Sequence, residues 1–439
     1  MRFSSKIPAG CGVLFIFLTA ATGRTAQNTS TSRKRIAQDP EAVALNSLLT
    51  KAQAAMERKD YEAAVQAYQE YLGKKPDDAT VHYDLGYAYT ALRKPADAKA
   101  EYEKAISFDP KMASAYQNLG LTLLAGDPAA AIAPLEKAAE LLPENARAKF
   151  LLGSALELSG KTAPAIEQYQ AAQKLGENDF DIHFALGRAL LSSNQATAAE
   201  VEFRAAIALK TDSAGAHLGL AKSLVAQKKS EAAAAEYSAY LSAQPNDNSA
   251  RLERAAVLVE AGKYDDALAE LDRAAVAGPE SLRALKLRSQ IAFQTKHYDA
   301  AVLALQRAIS LAPHDPDLAA QLGHMYLEGK DYPQAVNQLI VAFTMNPASN
   351  DVLGDLITAQ YLNKNYPATL QGLDVLSQRE TLPLGSWFIR ATCYDKLGQQ
   401  LQALDAYKKF LELNKDQNND MYFEASARVR TLTREIKKK

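Results

Sequence analysis

The sequence predicts an all-α solenoid of about eleven stacked helical hairpins closed by a C-terminal capping helix. Three observations carry that reading: a period near 34 residues, small and large residues alternating at helical spacing within each period, and a proline that closes most periods. The dipeptide Leu-Gly stands at Leu85-Gly86, Leu119-Gly120, Leu152-Gly153, Leu186-Gly187 and Leu322-Gly323. The closing prolines are Pro76, Pro110, Pro143, Pro245, Pro279, Pro313 and Pro347. The step from Pro110 to Pro143 is one residue short, a single deletion near Gly126-Asp127-Pro128.

Aligned on these marks, units begin near residues 45, 79, 113, 146, 180, 214, 248, 282, 316, 350 and 384. The eighth place of each unit is small, as in Gly86, Gly120, Gly153 and Ala221. The twentieth is alanine in nearly every unit, from Ala64 and Ala98 to Ala335 and Ala403. Four places later stands a large residue, such as Tyr68, Tyr102, Leu135, Tyr169 or Phe203, and three further on a mostly small one, such as Ala105 or Ala138. Spacings of three, four and seven put these residues on one helical face. Each unit therefore reads as two antiparallel helices whose backbones approach at the small places, with the large residue filling the groove between them. The joining turns carry punctuation such as Lys94-Pro95, Ser159-Gly160-Lys161 and Ala261-Gly262-Lys263. The closing proline lacks a helix donor and disfavours helix in the residue before it, so the second helix is expected to stop there. A lone helix of this length is marginal in water, and stacking the next unit covers the flank each hairpin leaves open.

Residues 39–417 are assigned to the solenoid. Asp39-Pro40-Glu41 has the chemistry of a helix start. Residues 418–439 read as a capping helix and basic tail: Met421, Ala425, Val429, Leu432 and Ile436 make one apolar stripe, and Ala425 falls at the eighth place of an unfinished twelfth unit. Arg428, Arg430, Arg434 and Lys437 to Lys439 are expected on its wet side. Unit ten departs most from the pattern, with Ile357, Gln360 and Thr369 at signature places, and is expected to be distorted.

The N-terminus reads differently. Arg2 and Lys6 precede the apolar run Val13 to Leu18, and the small residues Thr19, Ala20 and Ala21 follow, the layout of a secretory signal peptide over 1–21. The run falls short of the roughly 20 apolar residues that span a membrane. Cys11 precedes the run, whereas a lipidated cysteine would follow it. Residues 22–38 are polar and basic and read as a flexible linker. The expected location is periplasmic or secreted, with an uncleaved N-terminal membrane anchor as the alternative.

These residues carry a family resemblance. Small eight, aromatic eleven (Tyr89, Tyr326, Tyr394), alanine twenty, aromatic twenty-four, small twenty-seven and proline thirty-two resemble the tetratricopeptide repeat over about residues 40–437. The resemblance implies a right-handed superhelix whose first helices line a concave groove for peptides or protein surfaces.

Chemistry is harder to find. The 439 residues hold 50 Lys and Arg against 51 Asp and Glu, a net charge of -1 without the basic excess of a nucleic-acid binder. Ser159-Gly160-Lys161-Thr162 imitates the end of a phosphate loop, but Ala155 stands where that motif needs glycine, and no strand precedes it. His82, His183 and His217 share the fourth place of first helices, where a packed, hydrogen-bonded ring is the simple expectation. Cys393 reads as a small packing residue. No catalytic residue, cofactor or metal ligand is expected, and the chain is read as a non-enzymatic scaffold for a protein or peptide partner. A membrane partner is expected only if the N-terminal segment stays uncleaved.

The resemblance turns places two, five, six, nine and twelve of each first helix inward. Units two to five then offer Tyr83, Tyr87, Gln117, Asn118, Leu121, Arg147, Phe150, Phe184 and Arg188, an aromatic and amphipathic wall. The family's carboxylate clamp is incomplete: Asn118 and Arg147 fit two of its places, but Tyr83 and Tyr87 stand where lysine and asparagine belong.

Overall fold

The computed structural model describes residues 40–437 except 177, 277 and 417. The signal-peptide and linker assignments lie outside the described residues, as do Cys11, Asp39, Lys438 and Lys439. Among the described residues there are 23 α-helices and no strand. The chain divides into two compact units, Met1–Glu101 and Tyr102–Lys439.

The first unit holds α1 (Pro40–Glu57), α2 (Tyr61–Leu72), α3 (Ala79–Ala91) and the opening turns of α4 (Pro95–Phe108). Ala52 and Ala55 of α1 pack against Ala64, Ala67, Tyr68 and Tyr71 of α2, with Val81 and Leu85 of α3 closing the cluster. Asp78 caps α3 by accepting from the Val81 amide, and its other oxygen accepts from Tyr71 at 2.9 Å.

The second unit is a run of hairpins: α5 (Ala113–Leu124) with α6 (Pro128–Leu141), α7 (Ala146–Leu158) with α8 (Thr162–Leu175), α9 (Phe180–Ser192) with α10 (Ala196–Leu209), and α11 (Ala214–Ala226) with α12 (Ser230–Ala243). It continues with α13 (Asn248–Glu260) and α14 (Tyr264–Val276), α15 (Leu282–Gln294) and α16 (Tyr298–Leu311), and α17 (Pro316–Glu328) and α18 (Tyr332–Met345). The last members are α19 (Asn350–Leu362), α20 (Tyr366–Arg379), α21 (Leu384–Lys396), α22 (Gln400–Leu413) and α23 (Asp420–Lys437). From α3 onward, each first helix begins at the residue where the aligned sequence starts its unit.

The small-large pattern explains the packing. Ala131, Ala165, Ala199, Ala233, Ala267 and Ala301 are 0% exposed, so any larger side chain there would meet the facing helix. The place-eight glycines lie under the place-twenty-four side chains: a Cβ on Gly120 would come within 2.4 Å of Leu135, and one on Gly323 within 2.6 Å of Leu339. Local chemistry starts and stops the helices. Asn145, Asp179, Ser213, Asp247, Ser281, Asp315 and Ser349 each accept an amide of the first turn they precede, an arrangement worth about 1 kcal/mol per helix. Second helices stop just before the closing proline where there is one, as at Phe108, Leu141 and Ala243, yet proline is not required for the stop. Those ending at Leu175 and Leu209 stop in the same register with Gly176 and Lys210 following and no proline within three residues.

Two expectations need refinement. Unit ten keeps the usual helix lengths and register, and its departure shows instead as a looser packing of α19 on α20 than in the other hairpins. Ile357 is buried at the small place, and Gly372 of the second helix makes room, since a Cβ there would fall 2.7 Å from the Ile357 side chain. The small residue has moved from one helix to the other. The capping helix also differs in detail. Ala425 and Leu432 are fully buried, but Met421 is 44% exposed, and Arg428 is tied to Asp395 by bonds of 2.7 and 2.6 Å. Arg428 occupies place eleven, where all complete units but the tenth carry an apolar or tyrosine side chain, so this end presents a polar flank.

Candidate functional site

The first helices share one hairpin architecture, and their side chains divide between ties within the fold and groups left available. The fourth place is a tie. In the first unit, His82 Nδ1 lies 2.6 Å from Glu101 Oε2 and Nε2 lies 3.0 Å from the Pro76 carbonyl. In the second unit, His183 meets Glu202 at 2.6 Å and His217 meets Glu236 at 2.7 Å. Unit seven replaces the ring with Arg251, which donates to Glu270 at 3.0 Å and to the Pro245 carbonyl. His82, His217 and Arg251 thus each bridge their own second helix to the turn before, His217 through the Thr211 carbonyl at 3.1 Å. Among the described residues, no group of three or more His, Cys, Asp or Glu is placed to hold a metal ion. Cys393 is fully buried, and burial pushes its thiol up to about 11. Lys161 and Thr162 sit where α8 begins, in a turn that Gly160 enters with φ of 78°.

In the first unit, Tyr83 and Tyr87 are half-buried on α3. Between them Asp84 is largely enclosed, and burial, helped by the charge of Asp78, pushes its carboxyl up to about 6. Sequence reading passed over Asp84, although it occupies the sixth place. In the second unit, Gln117, Asn118 and Leu121 are half-buried on α5. Arg147 is exposed and lies over the Phe150 ring at 5.0 Å, and Phe150 leans on Tyr169 at 5.7 Å. Phe184 stacks on Phe180 at 5.6 Å and meets Phe203 at 6.0 Å. The bare backbone at Gly215 and Gly219 of α11 lets Phe184 and Phe203 lie on the next unit. Arg188 is engaged: it donates to both oxygens of Glu157, at 2.9 and 2.8 Å, tying α9 to α7.

Further along the same face, an open cleft of about 340 Å³ lies among Leu218, Lys222 and Val225 of α11, Tyr237 of α12, and Ser249, Ala250 and Glu253 at the start of α13. Places five, nine and twelve of unit six supply its α11 side, so the rule applied to units two to five would have found it had it been carried one unit on.

A family model described as tetratricopeptide repeat matches residues 49–113, 123–180, 184–248 and 252–316, more than half of the chain, and a second model of the same description matches 384–417. The chain belongs to the tetratricopeptide repeat family. Such repeats commonly mediate protein–protein interaction. The repeats resemble the small glutamine-rich tetratricopeptide repeat-containing protein 2 of Saccharomyces cerevisiae, with 32% identity over 93 residues, 21% of this chain and 27% of that protein. Among solved structures, MamA from Desulfovibrio magneticus RS-1 is 23% identical over 38% of this chain and 96% of its own, with a TM-score of 0.37. YrrB, described as a TPR protein with an unusual peptide-binding site, is 22% identical over 46% of this chain and all of its own, with a TM-score of 0.40. Yeast Tom70 covers 90% of this chain and 97% of its own at 13% identity and a TM-score of 0.34.

Proposed function

We propose that this tetratricopeptide repeat protein is a non-enzymatic scaffold that holds a protein or peptide partner along the first-helix face of Tyr102–Lys439. The supporting observation is the composition of that face: rings at Phe150, Phe180 and Phe184, exposed Arg147, and an open cleft one repeat further on. Rigid rings beside a guanidinium give large contact area at small entropic cost, which is how interfaces are anchored. The partner binds outside the cytoplasm, a reading that rests on the charged start, apolar run and small residues of the first 21 positions.

The test is affinity capture from cells that make the protein natively, repeated with Phe150→Ala and Phe184→Ala. Circular dichroism confirms that each variant keeps its helices. Loss of the captured partner supports the reading; unchanged capture by both variants overturns it. The apolar run Val13 to Leu18 also favours a second reading, a scaffold tethered by its N-terminus. Fractionation with N-terminal sequencing separates the two: a start near residue 22 in the soluble fraction supports export, and an intact Met1 in membranes supports the tether.

A further inference from the structure

The sixth place of α3 holds a carboxylate that the fold leaves without a counter-charge. Asp84 is largely enclosed on α3, and its charge reaches Tyr68 of α2, adding to burial in raising that phenol. Among the described residues, Asp84 has no hydrogen bond and no ion pair. The charge that acts on it is that of Asp78, of its own sign. Asp78 is itself engaged, accepting from Lys75 at 3.1 Å and from Tyr71 at 2.9 Å.

Units seven and ten also carry an acid at the sixth place, and there a neighbouring repeat supplies its partner. Arg283, from place two of unit eight, donates to both oxygens of Glu253 at 2.6 and 2.7 Å. His324, from place nine of unit nine, meets Asp355 at 3.1 Å, and that bond raises the imidazole pKa. For unit two, the corresponding places of the units on either side hold Gln53 and Ser114, which carry no charge. A carboxylate drawn out of water without a partner is costly. Asp84 is nevertheless not sealed off: it and the neighbouring Tyr83 and Tyr87 all keep part of their surface in solvent. An uncompensated charge at a reachable place is what a ligand of opposite charge completes.

We propose that Asp84 receives a lysine or arginine side chain from a partner segment, so that the partner supplies the cation that the chain itself supplies at Glu253 and Asp355. The charged group donates to the Asp84 carboxylate, while the stem of the side chain rests on the rings of Tyr83 and Tyr87, whose faces attract a cation. A metal ion fits less well, because no group of three or more His, Cys, Asp or Glu among the described residues is placed to hold one. This site belongs to the first unit and does not depend on the reading of Tyr102–Lys439 given above.

The test uses the full chain at pH 7 and an array of twelve-residue peptides on a mixed apolar and polar background, each carrying a single Arg or, in its twin, the uncharged isostere citrulline. Wild-type protein is expected to bind the Arg peptides about tenfold more tightly than their twins, the scale of one charge-assisted contact. Asp84→Asn should abolish the preference. That variant keeps the shape of the side chain and removes an unpaired charge, and a thermal melt confirms that it folds. Asp77→Asn removes an exposed carboxylate of the same unit and should leave the preference intact. Absence of binding by any Arg peptide, equal binding of the twins, a preference that survives Asp84→Asn, or one that Asp77→Asn removes equally, each overturns the proposal. So does an Arg affinity that appears only when Arg33, Lys34 and Arg35 are all changed to Gln, which makes the chain's own basic segment the occupant. None of these outcomes bears on the capture experiment with Phe150→Ala and Phe184→Ala, which tests the other unit separately.

Discussion

Gly153 of α7 lies directly beneath the ring of Tyr169 of α8: a Cβ on the glycine would come within 2.7 Å of two ring carbons and 3.3 Å of the Ala165 carbonyl. Alanine favours helix over glycine by about 1 kcal/mol, but here overpacking dominates at roughly 1–3 kcal/mol. Gly153→Ala should therefore lower the thermal midpoint. Gly354→Ala should raise it, because a Cβ on Gly354 meets nothing within 4 Å. Melts followed by far-ultraviolet circular dichroism check both.

Glu270 is 2% exposed and accepts from three arginines, Arg251 at 3.0 Å and Arg254 and Arg273 at 2.5 Å each. Removing a buried partner strands the remaining charge, at about 3–5 kcal/mol. Glu270→Ala should destabilise the second unit on that scale. Arg251→His should be milder, since units five and six carry a histidine–glutamate pair at the same places. Chemical denaturation of the three proteins compares them.

Asp84 makes the first unit sensitive to pH. Its folded pKa is raised from 3.8 to about 6, so folding favours the neutral acid. That contribution is complete below about pH 4 and is lost as pH rises through 6. At pH 7 the buried charge is a cost, and Asp84→Asn should stabilise by on the order of 1–2 kcal/mol. The gain should vanish near pH 4. Thermal midpoints of the full chain across pH 4–7 test the sign.

Among the described residues, ten hairpin turns place their fifteenth residue in the left-handed region, seven with non-glycine residues such as Lys228 (φ 58°) and three with glycine, among them Gly160. An L side chain there costs about 1–2 kcal/mol. Lys228→Gly should gain stability of about 1 kcal/mol and Gly160→Ala should lose a similar amount, read from the same melts.

Much of this fold is legible because one set of sterics repeats. Gly120 and Leu135, or Ala165 and Tyr169, recur at fixed spacing, so period alone places the helices. What is harder to read is compensation between positions. Ile357 looks disruptive until Gly372 is seen opposite it, and Arg428 looks solvated until Asp395 of the preceding repeat is seen within reach. The face is less legible still. Arg188 reads as an available cation, yet Glu157, 31 residues earlier, holds it. Lys222 is the same kind of residue at the same place of the next unit, and only the fold shows that its charge acts on Asp247 and Glu253 of the following repeat.

The measurement that tests the account most directly is site-specific photocrosslinking in the native cells. A benzophenone amino acid is placed at Leu218, on the first-helix face, or at Val201, which is 61% exposed on the second helix α10. The account predicts a discrete protein adduct from position 218 and none of comparable yield from position 201. Adducts from 201 alone, or equally from both, would contradict it.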